Sequence, residues 1–164
     1  MTSLAETPRF IVRAIRVEAT RALRQRILRP TQRAEDLVLP RDDAPETRHF
    51  GAFARVGQTD VQPLVGVASV YREGRSGETD TSAWRLRGMA TSEEVRRQGC
   101  GAALLRACLA YAEERGGTSM WCNARVSASA FYAAQGFERE GEAFDLPDIG
   151  PHYVMSRAIA ARGE

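Results

Sequence analysis

Residues 84–105, WRLRGMATSEEVRRQGCGAALL, restrict the fold more than any other stretch of the chain. Residues 84–91 read as a strand, residues 92–97 as a polar turn, and an apolar helix begins at the paired glycines Gly99 and Gly101. A strand, a glycine turn and a helix in that order bring several backbone N–H groups to one point. Those donors, with the positive end of the helix dipole, suit a phosphate, and glycine lets it approach the backbone closely. Arg96 and Arg97 add charge at the rim. The stretch is not a P-loop, since no Gly-Lys-Ser/Thr follows, and Leu104 stands where the third glycine of GxGxxG would be. On the glycines alone, a phosphate cradle and a bare strand-to-helix turn both stay open.

At 164 residues one domain suffices, with room for a sizeable core. No apolar run approaches a membrane span, and MTSLAETPRF lacks the apolar segment of a signal peptide. No membrane partner and a cytoplasmic location are therefore expected. Cys100, Cys108 and Cys122 form no CxxC pair and sit near no histidine cluster, so small buried residues are expected and no metal site. Cys100 lies near a helix N-terminus that favours its thiolate, yet a spacer role is expected of it. All 23 basic residues are arginine, which excludes Schiff-base chemistry on lysine. A net charge of +2 makes no general case for nucleic acid. Eight arginines against two acids in residues 1–33 leave an anion-facing surface and a solvated helix face both open, the second preferred.

Along the chain, residues 1–8 read as a loose terminus, 10–17 as a strand and 18–28 as a helix that Pro30 ends. Residues 31–47 read as loop with some short helix. Residues 49–56 and 64–71 read as a hairpin about a turn at 57–62, and 72–80 as another turn. The helix over 101–115 carries a stripe of Leu104, Leu105, Cys108, Leu109 and Ala112, and Gly116 and Gly117 stop it. Residues 119–124 read as a short strand. Ser127 is expected to cap a helix running to Gln135, with Gly136 at its end. Residues 137–143 and 153–159 read as the last strands, joined by a linker at 144–152. Thr91 and Glu94 have capping-box spacing, but the glycines favour the later helix start. The order predicts an α/β fold: one domain, core about 10–158, with a mixed, mostly antiparallel sheet flanked by helices.

Arg96-Arg97-Gln98-Gly99-Cys100-Gly101 matches the Q/R-x-x-G-x-G/A signature of the GNAT (GCN5-related N-acetyltransferase) family. Ala128-Ser129-Ala130-Phe131-Tyr132-Ala133-Ala134-Gln135-Gly136-Phe137 resembles that family's A-x-x-F/L-Y-x-x-x-G-F. The predicted element order is similar too. Residues 121–125, WCNAR, and 149–155, IGPHYVM, look like the ElaA-type subgroup. The resemblance implies an acetyltransferase that uses acetyl-CoA on a primary amine of a small molecule or peptide, with homodimers common among relatives. It places the pantetheine arm on the backbone of Met89, Ala90 and Thr91, and the pyrophosphate on N–H groups from Arg96, Arg97, Gln98, Gly99, Cys100, Gly101 and Ala102.

The chemistry requires a neutral amine, a donor for the negative carbonyl oxygen and a proton for the leaving thiolate. The resemblance implies a backbone N–H near Met89 or Ala90 for the oxygen and Tyr132 for the proton, although Tyr132 also suits a packing role. His49 and His152 are the candidate bases by intrinsic pKa; Glu73, Glu142, Asp148 or a water relay stay open. Asn123 is a further candidate for CoA contact. Arg125 stands where many relatives have asparagine, so it is assigned either to CoA phosphate or to a substrate carboxylate. A non-catalytic acyl-CoA sensor of the same fold is the alternative. An RNA-binding reading ranks last, because the arginines lack interleaved aromatics.

Overall fold

The computed structural model describes residues 9–57, 59 and 62–159. The terminus at 1–8 and part of the turn at 57–62 lie outside the described residues. Seven strands form one sheet in the order β1-β2-β3-β4-β5-β7-β6. They are β1 (Phe10–Ile15), β2 (Arg48–Ala54), β3 (Leu64–Arg72), β4 (Ala83–Thr91), β5 (Ser119–Arg125), β6 (Glu138–Leu146) and β7 (Gly150–Ala158). Every neighbouring pair is antiparallel except β4 and β5, which run parallel. The helices are α1 (Arg21–Leu23), α2 (Cys100–Glu114) and α3 (Ser129–Ala134).

Each face of the sheet has its own core. On one face α2 lays Leu104, Leu105, Cys108 and Ala112 against Val70, Trp84, Leu86, Met120 and Cys122. Tyr111 joins this expected stripe, its hydroxyl donating to Glu46 O at 2.8 Å. On the other face Leu23 packs with Val67 and Ala90. β3 is buried along nearly its whole length because both faces are covered.

Three local expectations change. The helix over 18–28 is a composite: a 3-10 turn (Val17–Thr20), α1, and a π turn (Arg24–Leu28) in which Arg29 N–H donates to Arg24 O and Gln25 O. Ser127 does not cap α3; a 3-10 turn (Val126–Ala128) leads in, and Ser129 Oγ donates to Val126 O. The linker expected at 144–152 is mostly strand. Phe144 pairs with His152 and Leu146 with Gly150, about a short turn where Asp148 takes φ 65°. Pro151 is tolerated there because β5 ends at the Arg125–His152 pair, so Pro151 borders β6 alone.

Arg24 is fully buried on the α1 face. Its guanidinium donates to both Asp42 oxygens (2.7 and 3.0 Å), to Leu37 O and to Ser69 Oγ. This arrangement ties the π turn to the loop before β2 and to β3. Removing one partner of a buried, hydrogen-bonded ion pair strands the other charge, which costs about 3–5 kcal/mol. Asp42→Ala is expected to lose that much in urea denaturation, while the double change Arg24→Met, Asp42→Leu recovers most of it.

Candidate active site

β4 and β5 pair only at Ala83–Ser119, Trp84–Met120 and Arg85–Trp121. Beyond that point both strands continue, β4 to Thr91 and β5 to Arg125, without bonding each other. Between β3 and β4 the register places Gly88 and Met89 opposite Ala68 alone, a bulge, and Gly88 takes φ 64°. A bulge bends its strand and increases its twist, which parts β4 from β5. The result is a free inner strand edge inside a sheet. Unpaired N–H and C=O groups on such an edge bond readily to an extended ligand that carries amides.

At the end of β4 the chain makes a 3-10 turn (Glu93–Val95) and enters α2. Glu94 is held by Ser92 Oγ at 2.6 Å rather than capping the helix with Thr91, and α2 starts after Gly99. Arg97 (φ 64°) and Gly99 (φ 89°) both adopt left-handed backbone, which turns the chain sharply into α2, while Arg96 and Gln98 N–H donate to Glu93 O and Val95 O. The N–H groups of Cys100, Gly101 and Ala102 lie in the first turn of α2 and have no intrahelical acceptor. Space beside Gly99 is open, while a side chain at Gly101 would meet the Phe131 ring at 3.1 Å. Gly99 thus serves the turn, and Gly101 serves the approach of α3.

Tyr132 is buried beneath α3, clamped edge-on between Phe131 (5.0 Å) and Phe137 (5.4 Å). Its hydroxyl has no hydrogen-bond partner among the described residues. Burial pushes its pKa up, with the Cys122 and Cys108 sulfurs adding to the effect. The cysteines are free and buried. Burial pushes the Cys100 thiol up to about 11 and Cys122 up to about 12, so desolvation outweighs the helix N-terminus at Cys100. Cys100 Sγ instead packs over Gly66 of β3.

On the opposite, α1 face stand Arg85 and Arg87 of β4, ahead of the bulge, and the odd-numbered residues of β5. Arg85 stacks on Trp121 at 4.7 Å and bonds Glu73, whose other oxygen is held by Arg41. Asn123 and Arg125 follow along β5. Arg125 reaches across to Leu28 O at 2.7 Å, at the end of the π turn. Arg29 shares that carbonyl at 3.2 Å, and Arg87 approaches the Tyr71 hydroxyl at 3.5 Å. The guanidinium of Arg29 is pushed down from its ordinary value, first by burial and then by Arg125 and Arg87.

The two histidines part company. His49 is buried in β2 with both ring nitrogens used: Nε2–H donates to Asp42 O, and Nδ1 lies 2.6 Å from Ser69 Oγ, which accepts from Arg24. β3 stands between it and β4, so the structure does not bring His49 to the parted strands. His152 is in β7 rather than in a loop, as the cross-strand partner of Arg125. Its Nδ1–H donates to Gly150 O at 2.8 Å, which leaves the Nε2 lone pair without a partner among the described residues. Glu142 and Asp148 are exposed on the β6–β7 hairpin. A hollow of about 730 Å³ lined by Glu46, Arg72 and Thr79 lies away from these groups and gathers none of them.

Residues 15–137 match the model of the acetyltransferase (GNAT) family. The chain is 38% identical over 148 residues to the uncharacterized N-acetyltransferase YitI of Bacillus subtilis, covering 90% of this chain and 95% of that one. Its fold is similar to a putative N-acetyltransferase from Lactobacillus plantarum (TM-score 0.71, 18% identity, 93% and 100% of the two chains). It is similar also to an aminoglycoside 6'-N-acetyltransferase complexed with coenzyme A (TM-score 0.64, 15% identity, 94% and 99%).

The buried thiols make a direct check. At pH 8 the folded protein is expected to react slowly with a thiol reagent, and the denatured protein to expose all three cysteines. Folding raises these pKa values above that of an ordinary thiol, so it favours the neutral thiol. The contribution is intact below about 9 and is lost as pH rises through about 11–12. The urea midpoint should fall across that window, and less steeply in Cys122→Ala.

Proposed function

The chain belongs to the acetyltransferase (GNAT) family and is an acyltransferase dependent on acetyl-CoA, and from that premise we propose that it moves the acetyl group directly to a primary amine of a small molecule or peptide. The observation that carries this reading is the parting of β4 from β5 beside the amide cradle at the head of α2. The free edge over residues 86–91 fits the two amides of a pantetheine arm, with Met89, Ala90 and Thr91 as its partners. The N–H groups of Cys100, Gly101 and Ala102 at the head of α2 fit a pyrophosphate, which accounts for the varied side chains there, whereas Arg96 and Gln98 offer no such donor because their N–H groups are bonded to Glu93 O and Val95 O. Bound in this way, acetyl-CoA supplies an activated thioester. A backbone N–H in the bulge, at Met89 or Ala90, stabilises negative charge on the carbonyl oxygen.

Tyr132 holds a proton for the leaving sulfur. Its hydroxyl stays neutral far above physiological pH, and its clamped ring keeps it in place. His152, with its proton fixed on Nδ1, takes a proton from the ammonium through Nε2, directly or by way of water. His49 is left out of this scheme because its ring is committed elsewhere. Both oxygens of Glu73 are engaged by Arg41 and Arg85, so the carboxylate is not offered as a base.

Titration calorimetry with acetyl-CoA and CoA comes first, and a folded sample that binds neither would remove the scheme. Gly99→Glu puts bulk and charge into the cradle and is expected to abolish binding. Gly99→Ala carries the same backbone strain without the charge and should retain binding in good part. Tyr132→Phe is expected to lower kcat by about a hundredfold with CoA affinity unchanged. Equal turnover at several pH values would take Tyr132 out of the acid role.

A further inference from the structure

The α1 face of the parted strands holds three guanidinium groups with no counter-charge among the described residues. Arg87 comes from β4 just before the bulge, Arg125 from the end of β5, and Arg29 from the end of the π turn that covers them. Each is half-buried. Among the described residues no carboxylate stands within ion-pair distance of any of them, although their neighbours are paired: Arg24 with Asp42, and Arg41 and Arg85 with Glu73. They are nevertheless held in position. Arg125 and Arg29 both donate to Leu28 O, a carbonyl at a helix C-terminal end, and Arg87 is tethered to Tyr71. Gathering half-buried like charges is unfavourable, and the pKa of Arg29 is pushed down partly by the other two. An anion bound among them removes that repulsion and gains charge-assisted hydrogen bonds.

The pyrophosphate of CoA does not fill this role. Its cradle leads into α2, on the other face of the sheet, while Arg87 and Arg125 alternate away from Leu86 and Ala124 of the α2-side core. Arg87 also precedes Thr91 by four residues, roughly 13 Å along an extended strand. The cluster therefore borders the acyl end of the cleft, where the amine must arrive.

We propose that the acceptor amine carries a carboxylate or phosphate group, and that Arg29, Arg87 and Arg125 bind it beside His152 on the α1 face of the parted strands. This rests on the acetyl-transfer reading of the same cleft. The arrangement has two chemical consequences. Cations near the bound ammonium lower its pKa, which eases proton removal toward His152. Polycationic amines are repelled, so acceptors with further ammonium groups should be poor ones.

The test measures CoA thiol release with matched probes: a panel of amino acids against their amides, and aminoalkyl phosphates against the corresponding amino alcohols. The anionic member of one set is expected to be preferred by about tenfold or more in kcat/KM, as for a charge-assisted contact. Which set responds identifies the carboxylate or the phosphate. Arg87→Gln and Arg125→Gln should each raise KM for that acceptor by about tenfold, leaving CoA affinity by calorimetry unchanged. Raised salt should raise the same KM. Equal use of neutral and anionic amines, or unchanged KM in both variants, overturns the assignment while the transfer reading stands. CoA binding with no turnover of any probe overturns the transfer reading, and the acceptor assignment with it.

Discussion

Everything in the cleft follows from one interruption of pairing. β4 cannot bond β3 and β5 at once along its full length, because the bulge at Gly88 and Met89 gives it one residue more than β3 in the same span. The extra residue bends the strand, and the parallel ladder to β5 stops at Arg85–Trp121. Backbone groups that would be satisfied inside a sheet are left open, which is costly unless a ligand or water meets them. The same bend carries the end of β4 to where the Gly99 turn can deliver α2 amides on the far face. Gly88 is tied to this arrangement from the other side, since a side chain there would stand 3.1 Å from Arg24 Nε. The buried ion pair and the open edge are two consequences of one packed layer.

The α1 face treats arginine in two opposite ways. Arg24 is wholly desolvated and matched by Asp42, Ser69 and Leu37 O, so its charge is spent on holding the loop and the π turn. Arg29, Arg87 and Arg125 are less buried and, among the described residues, meet neutral acceptors only. Each arrangement is expected for its depth. A fully buried cation must have its anion within the protein, whereas half-buried cations at a cleft can wait for an anion from outside at moderate cost. A chain without lysine must do both with guanidinium groups, whose planar donors suit fixed, two-point contacts.

Much of this was legible in the residues. The apolar run of β3 and the stripe of α2 gave their elements through periodicity, and Gly99 announced the turn because left-handed backbone there excludes most side chains. What could not be read depends on distance along the chain. Nothing in the spacing of Arg24 and Asp42, eighteen residues apart, marks them as partners. The preferred solvated-face reading of the N-terminal arginines therefore fails at Arg24. His152 looked like a loop residue because two prolines flank the hairpin turn, and only the end of β5 explains why Pro151 fits a strand. One signal was present and unused. Trp84 and Leu86 alternate with Arg85 and Arg87 in the run read as a strand, which puts charge along one of its faces, and the structure sets that strand at the sheet's centre.

The buried cysteines show what the apolar core on the α2 side does to a sulfur anion. Burial lifts Cys100 and Cys122 well above an ordinary thiol, to about 11 and about 12. A thiolate whose thiol titrates near 8.5 takes a proton from tyrosine near 10 only against a gradient of more than a unit, and burial pushes Tyr132 higher still. In water that mismatch would make tyrosine a poor donor. In the proposed scheme, a thiolate released beside Tyr132 would meet desolvation of the kind that acts on Cys122 and become a stronger base by the same cause. Burial therefore acts on the proposed donor and acceptor in the same direction. That shared direction is what the proposed scheme relies on in using a buried tyrosine as the proton donor.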